Sequence, residues 1–529
     1  MACKLSLELY GAVGVIGGSK HLLKCKVGRK KEVKSWLDFG LDFNSFFAYY
    51  SEFVRPRKAN GITDLIKLGL LPKLKGLYRP DYVKKSGHNP EHNIDYALTC
   101  ISHAHLDHMG FLSHMHYDIP ILCSKPTYAI MRTLQEAGAG SDKDFITFKE
   151  YYVTPSKRQV IDRQFHFIED GPLSVGDLVF RGVPVDHSLP GAAGFIIETP
   201  KGNVGYTGDF RFHGSHKKLT RNMVKVFSKA NLIALITEGT NIDETPDMSE
   251  AKVYRKILNA AKKTKGLIAA NFPKRDTARL DTFLRVAKET GRKLAIDMHQ
   301  AYELKCLYEA GCSDVSIAIN PNAGDEFLRD LFDADIVVFA KQKKDGSVLR
   351  GEPLEKVVKD YSKWERQFIA SNHGTDKKPA LVKQEYVRDA HQIRNRQDKY
   401  IVFSDNFSVQ NLIDFQPVEG SLYVYSKTEP FDQEMEADFD KLENWVRKFF
   451  GSDQMLHAHA SGHAYGRELV NAIKEINPGI VIPTHTQHPE MFIEKLTKRD
   501  NRLKHKEPYK GKVIVPELSV TGNAHEIML

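Results

Sequence analysis

The chain reads as an α/β protein, on the strength of three patterns along its length. The first 240 residues carry short runs rich in β-branched or aromatic side chains, each ending in a polar loop that holds His, Asp or Glu. From about residue 248, helix-like and strand-like segments alternate, as in a domain with a largely parallel sheet. After about residue 450 the His-rich strand-end style returns, which makes the alternating block an insertion. The expected domains are 1–245 for the first part, 246–450 for the insertion and 451–529 for the return.

Taken in order, residues 1–10 alternate apolar and polar side chains around Lys4 and Glu8. They predict a first strand rather than a signal peptide, whose apolar region is continuous. Strand-like residues 97–101 precede His103, His105, Asp107 and His108, and residues 178–185 precede Asp186 and His187. Residues 202–206 precede Asp209, 232–236 precede Glu238, and 481–483 precede His485. Every one of these polar groups falls at a C-terminal strand end, where a rigid sheet edge can present a site. In the inserted block, 249–263 reads as a helix with Ser249 as N-cap, 267–270 as a strand, 277–290 as a helix and 294–296 as a strand. Residues 336–339 and 400–403 read as further buried strands, and 512–520 as one strand closing the first domain.

At 529 residues the chain is too long for one ordinary core, and two or three domains are expected. The 41% hydrophobic and 27% charged residues are ordinary for a soluble globular protein, and no apolar run is long enough to predict a membrane span. Six scattered cysteines without a CxxC pair fit a reducing, cytoplasmic setting. The net charge of +9 is compatible with a polyanionic partner, or with a basic solvated surface. Residues 54–86 concentrate it: Arg55, Arg57, Lys58, Lys67, Lys73, Lys75, Arg79, Lys84 and Lys85 face only Asp64 and Asp81. That stretch is a candidate phosphate-facing lid or, alternatively, a solvated insertion. Residues 341–399 mix both signs without clear periodicity, and no internal repeat is present.

Chemistry concentrates in His103-Ala104-His105-Leu106-Asp107-His108. A dinuclear hydrolytic site needs neutral imidazoles and carboxylates on a short stiff loop, and those donors suit Zn²⁺ or Mn²⁺. Gly110 with Phe111 and Leu112 predicts a helix starting just beyond the loop. His187, Asp209 and His485 are each unremarkable as single strand-end residues; in order, they supply the further ligands that the loop lacks.

The HxHxDH loop followed by a single His and a Gly-Asp resembles the metallo-β-lactamase superfamily, which implies an αββα sandwich. Leu37-Asp38-Phe39-Gly40 is similar to its first motif, whose Asp supports the loop without binding metal. Within that superfamily, Glu238, His463 and His485 match motifs A, B and C of the beta-CASP nucleases, the family of ribonuclease J. The glycine-rich residues 9–18, the segment His459-Ala460-Ser461-Gly462-His463-Ala464 and Pro483-Thr484-His485 extend the likeness over nearly the whole chain. The resemblance implies two divalent ions, with His103, His105 and His187 on one, Asp107, His108 and His485 on the other, and Asp209 bridging. It implies attack by a hydroxide that the two metals generate, with His463 as general acid oriented by Glu238. His459, Ser461 and Ser426 are the implied substrate-binding residues.

Metallo-β-lactamase folds host many reactions, so the fold alone decides nothing. The inserted block and the HxSGHA and PxH segments favour nucleic acid over a small substrate. Histidine at motif C favours RNA, expected single-stranded, with DNA as the alternative. A non-catalytic scaffold would be expected to lack ligands, and all seven are present. Forty-four residues follow His485, which leaves less room than the C-terminal domain of ribonuclease J would need. Oligomeric state and exonuclease (5′-to-3′) or endonuclease action stay open.

Overall fold

The computed structural model describes residues 2–51, 53–90, 94–137, 151–154, 157–159, 163–245, 248–312, 335–339, 387–428, 433–451, 454–517 and 525–529. The mixed-charge stretch read from the sequence at 341–399 lies outside them up to residue 386. The first sheet contains β1 (Cys3–Leu9), β2 (Lys20–Val27), β3 (Val33–Phe39), β4 (Leu98–Cys100), β5 (Ile121–Cys123), β8 (Phe165–Phe167) and β23 (His525–Met528), in the order β23-β1-β2-β3-β4-β5-β8. A small pair, β6 (Tyr151–Thr154) and β7 (Lys157–Gln159), stands apart. The second sheet contains β9 (Leu173–Val175), β10 (Leu178–Pro184), β11 (Ala193–Thr199), β12 (Gly202–Tyr206), β13 (Leu232–Thr237), β21 (Ile480–Pro483) and β22 (Lys512–Val513), in the order β22-β21-β13-β12-β11-β10-β9.

Period-two alternation decides which faces meet. Leu5, Leu7 and Leu9 of β1, Leu23 of β2 and Leu37 of β3 join Phe180, Phe195, Ile197, Val204, Ala234 and Ile236 in one core between the sheets. Their neighbours Leu22 and Trp36 point the other way, into a cluster with Ile130, Met131 and Leu134 of the helix Lys125–Ala137. Leu235 likewise points outward, beneath Met223, Val224 and Phe227 of the helix Lys217–Lys229 and Leu469, Val470 and Ile473 of the helix Gly466–Ile476. Helices on both outer faces make the αββα sandwich. Each fully buried Leu or Phe of these layers contributes roughly 1.5–3 kcal/mol.

A third sheet is parallel throughout: β14 (Ile268–Asn271), β15 (Lys293–Ile296), β16 (Ile336–Phe339), β17 (Val387–Arg388), β18 (Tyr400–Phe403), β19 (Leu422–Tyr425) and β20 (Met455–His457), ordered β17-β16-β15-β18-β14-β19-β20. Its helices start where local chemistry sets them. Ser249 accepts a hydrogen bond from the amide of Lys252 ahead of the helix Glu250–Ala261. Asp276 caps Thr277–Glu289 through the amide of Arg279, and Asp297 and Gln300 form a capping box before Met298–Glu309. Two expectations shift. The third sheet continues to His457, past residue 450, because β20 pairs with β19 before the chain turns into the cleft. The strand expected over 512–520 is described only as Lys512–Val513; residues 518–520 lie outside the described set.

Strand direction gathers the polar loops on one side. β3 and β4 run parallel, as do β12, β13 and β21, while β10 shares the direction of β12 across the antiparallel β11.

Candidate metal centre

The short helix Leu106–Met109 begins inside the HxHxDH motif rather than beyond it, so Asp107 and His108 lie on its first turn. The backbone around it is tightly fitted. A Cβ on Gly40 would meet the Asp107 carbonyl at 1.7 Å, and one on Gly17 would stand 3.2 Å from Asp107 Oδ2. Asp38 (φ 58°) and His485 (φ 53°) both occupy left-handed backbone conformations that non-glycine residues seldom adopt. Each orients a functional side chain.

Two groups of donors converge. His103 Nε2 and His187 Nε2 lie 2.9 and 3.0 Å from His105 Nδ1, and Asp209 Oδ2 is 3.7 Å from His103 Nε2. On the other side, His485 Nε2 is 3.1 Å from Asp107 Oδ2, His108 Nε2 is 3.8 Å from the same oxygen, and Asp209 Oδ2 is 3.1 Å from His108 Nε2. His103, His105, His187 and Asp209 thus form one group able to hold a cation, and Asp107, His108 and His485 another. Asp209 faces both. His108 Nε2 and Asp209 Oδ2 are buried and take no hydrogen bond despite their proximity. Lone pairs aimed at a shared space, all from nitrogen and carboxylate oxygen, fit divalent ions.

The second nitrogen of four imidazoles is also engaged. His103 Nδ1 is 3.0 Å from the Ser102 hydroxyl, His108 Nδ1 2.7 Å from Asp38 Oδ2, His187 Nδ1 2.6 Å from the Gly462 carbonyl and His485 Nδ1 2.9 Å from the Thr240 hydroxyl. Such partners fix the ring orientation and the tautomer that leaves the other nitrogen free to bind. Asp38 holds more than His108, since it also accepts from the Ser102 amide (2.7 Å), the Ser102 hydroxyl (2.6 Å) and the Tyr206 hydroxyl (2.6 Å).

Burial, reinforced by neighbouring imidazoles, pushes His103 and His187 well below the ordinary histidine range, and burial takes His105 down to about 4. These three rings are therefore neutral, the ligand form. For His108, burial is outweighed by Asp209, Asp107 and Asp38, which hold it well above the usual range. A divalent ion would take the place of that proton.

His463 and Glu238 stand at the rim of the cluster. Glu238 Oε2 is 2.9 Å from His463 Nδ1, and Glu238 Oε1 accepts from the Phe210 amide at 2.9 Å. Burial would lower the His463 pKa, but Glu238 and then Asp209 outweigh it and raise it to about 9. Ser461 accepts from Asn241 Nδ2 (2.9 Å) and from the His463 amide (3.2 Å), which ties its hydroxyl into the same turn. His459 has a buried Nε2 without a hydrogen-bond partner, and burial followed by Arg279 lowers its pKa to about 3. Ser426 is different from its two companions. It is fully buried, its hydroxyl bonded to the Ala458 carbonyl and accepting from Arg279 Nη1, so it braces the loop instead of facing the cleft.

Several groups escape a reading by motif. Arg211 and Arg279 are fully buried; both contact Glu250 Oε1, at 3.1 and 2.9 Å, and Arg211 also contacts Asp186 at 3.1 Å. Lys20, also buried, donates to the carbonyls of Gly18 (3.2 Å) and Gly40 (2.9 Å), joining the glycine-rich opening to the Asp38 motif. The His485 amide donates to the Ala12 carbonyl at 2.8 Å, so that opening also carries motif C. The glycine-rich run was the available signal for these last contacts; the arginines and Lys20 lie in no motif.

Residues 81–263 match the model of a Beta-lactamase superfamily domain. Ribonuclease J of Mycoplasma genitalium is 23% identical over 405 residues, 74% of this chain and 58% of that protein. Ribonuclease J of Pyrococcus abyssi is 28% identical over 242 residues, 44% of this chain and 47% of that protein. Transcription termination factor FttA of a Lokiarchaeum is 31% identical over 195 residues, 34% of this chain and 29% of that protein. The chain thus spans under two thirds of the length of these relatives. A solved structure of a protein of unknown function from Enterococcus faecalis V583 has the same fold: TM-score 0.65, 21% identity, covering 99% of this chain and 100% of that one. No helix among the described residues is long and apolar enough to cross a membrane.

Proposed function

We propose that the chain, whose residues 81–263 match a Beta-lactamase superfamily domain and which is similar to ribonuclease J over 74% of its length, is a nuclease of the beta-CASP type that hydrolyses RNA phosphodiester bonds. The observation that carries the reading is the convergence of His103, His105, His187 and Asp209 beside Asp107, His108 and His485, with Asp209 Oδ2 3.7 Å from His103 Nε2 and 3.1 Å from His108 Nε2, and the His463–Glu238 pair (2.9 Å) at the rim. In the same reading, residues 1–245 and 458–529 form the metallo-β-lactamase domain and 246–457 the inserted one, the return falling after β20 rather than at 451.

His103, His105 and His187 would hold one ion and Asp107, His108 and His485 the other, with Asp209 shared. Two divalent ions there, Zn²⁺ or Mn²⁺, would supply Lewis acidity toward the phosphate and a nucleophilic water at neutral pH. The protein's own groups do the rest. Asp38, Thr240 and the Gly462 carbonyl hold His108, His485 and His187 in their binding tautomers. His463 keeps a proton on Nδ1 toward Glu238 and gives one from Nε2 to the leaving 3′ oxygen. His459 and Ser461, on the same segment as that acid, bind a substrate phosphate.

The partner is single-stranded RNA, and the setting cytoplasmic. The test is incubation of purified protein with Zn²⁺ or Mn²⁺ and 5′-monophosphorylated, 5′-triphosphorylated and circular RNAs beside matched DNAs. RNA is expected to be cut and DNA spared. Cleavage of DNA alone would replace the reading with a DNA nuclease, and cleavage of neither would remove it. Mononucleotides released only from the monophosphate mean 5′-to-3′ exonuclease action, and a cut circle means endonuclease action.

A further inference from the structure

Immediately after the Asp38–Gly40 motif the sequence becomes aromatic. Phe43, Phe46, Phe47, Tyr49, Tyr50 and Phe53 are six of the twelve residues from 43 to 54. They divide by burial. Tyr50 is buried and Phe46 packs against the core, their rings 4.9 Å apart, so these two anchor the segment. The other four stay out: Phe43 is 37% exposed, Phe47 50%, Tyr49 52% and Phe53 87%. Phe43 and Phe47, one turn apart on the short helix Phe43–Phe47, stack in parallel with centroids 6.0 Å apart and planes at 14°. Scattered single apolar residues on a surface need no explanation, but four exposed aromatic rings within eleven residues, two of them stacked, mark a candidate interaction site.

The patch is tied to the candidate centre. The Leu41 amide donates to the Leu106 carbonyl at 2.9 Å, and a Cβ on Gly18 would meet Asp42 Cβ at 2.6 Å, so the chain leaves the metal loop and enters the aromatic helix within two residues. The chain beyond it is basic. Arg57 is matched by Asp64 and Arg79 by Asp81, while Arg55, Lys67, Lys73 and Lys84 are exposed cations along the same insertion. Exposed rings and exposed positive charge on one stretch of chain suit a ligand that carries both π-faces and phosphates, namely a single strand of nucleic acid. A second copy of this protein, itself net positive, has no such complementarity to the flanking charge.

We propose that residues 43–51 and 53–58 form a stacking platform for single-stranded RNA, on which bases lie against Phe43, Phe47 and Phe53 while Arg55 meets a phosphate as the strand runs to the metal centre. The proposal rests on the ribonuclease reading and adds to it a binding surface outside the HxSGH segment.

The test uses the full chain with Asp107→Ala to block cleavage, in Mn²⁺, and a labelled oligouridylate of about 20 nucleotides, longer than a single stacking site. Phe47→Ala with Phe53→Ala is expected to weaken binding by about thirtyfold or more, since stacking is worth roughly 1–3 kcal/mol per base and two rings are lost. Arg55→Glu should weaken it as well and reduce the salt dependence of binding, because a phosphate contact is lost. Phe53→Trp should retain affinity, and its indole fluorescence should be quenched as RNA is added. Ile493→Ser, an exposed apolar residue on the helix Glu490–Thr497, should change nothing. Unaltered affinity in the double Phe variant overturns the proposal, and so does a fall in that variant's assembled mass by light scattering, which would mean that another protein copy covers the patch. Wild-type protein that cuts RNA while its binding ignores Phe47 and Phe53 removes the platform alone. Protein that neither binds nor cuts RNA removes the nuclease reading with it.

Discussion

The metal side of the cleft and the side formed by residues 457–463 are built on opposite plans. On the side of the candidate metal centre, the donors arrive from the ends of β4, β10, β12 and β21, and most anchoring contacts are made to a side chain of fixed chemistry. The 457–463 segment instead leaves the edge of the third sheet and is held largely by its backbone carbonyls. Arg279 reaches those of Ala458 (3.4 Å) and Ala460 (3.5 Å), Arg211 that of Ser461 (3.4 Å), and His213 Nε2 the same oxygen at 2.8 Å. Arg211 lies two residues beyond Asp209, whereas Arg279 and Glu250 come from helices that flank the third sheet. One side is therefore specified by which residues are present, and the other by a buried charge cluster bridging the sandwich and the third-sheet region.

That contrast can be broken from either side. The largest effect is expected from Asp107→Ala, which should abolish RNA cleavage while leaving RNA binding largely intact; retained turnover would remove the two-metal assignment. Next comes Arg279→Met, which takes away one of the two buried arginines on Glu250 and leaves that carboxylate with Arg211 alone. Removing one partner of a buried pair costs roughly 3–5 kcal/mol, so a thermal or urea melt should show a large loss, and Arg279→Met with Glu250→Leu should recover much of it. The surviving Arg279→Met protein should bind its two metals normally yet have a raised KM for RNA. A normal KM would uncouple the cluster from the loop.

Asp38→Asn should act only on the metal side, lowering metal affinity by about 10- to 100-fold as loss of a ligand's orienting partner does. Equilibrium dialysis measures it, and unchanged affinity would mean that the 2.7 Å contact to His108 is idle. The smallest change is expected from Glu238→Gln. The Glu238 carboxylate is the largest influence raising the His463 pKa toward about 9, so its neutralisation lowers that pKa. A general acid works only while protonated, so the alkaline limb of the pH–rate profile should move to lower pH. An unmoved limb would take His463 out of the acid role.

Legibility divides along the same line. The strand ends and their ligands could be read because each donor's chemistry is written in its side chain and the HxHxDH loop places four within six residues. Helix caps such as Ser249 were readable for the same reason. The Arg211–Glu250–Arg279 cluster was not: its successive members lie 39 and 29 residues apart, and the loop groups it holds are carbonyls, which every residue has. Ser426 shows the converse error. A serine at a strand end suggested substrate contact, but the fully buried Arg279 turned that hydroxyl inward. The helix start was misplaced because Gly110 looks like a break, whereas the Met109 amide already bonds the His105 carbonyl at 3.0 Å.

The most direct measurement counts divalent ions per chain in the purified protein after dialysis against limiting Zn²⁺ or Mn²⁺, for wild type, His187→Ala and His485→Ala. Two ions are expected in wild type and one in each variant, with RNA cleavage lost in step. One ion or none in wild type, or cleavage that survives loss of an ion, would contradict a shared two-metal centre around Asp209.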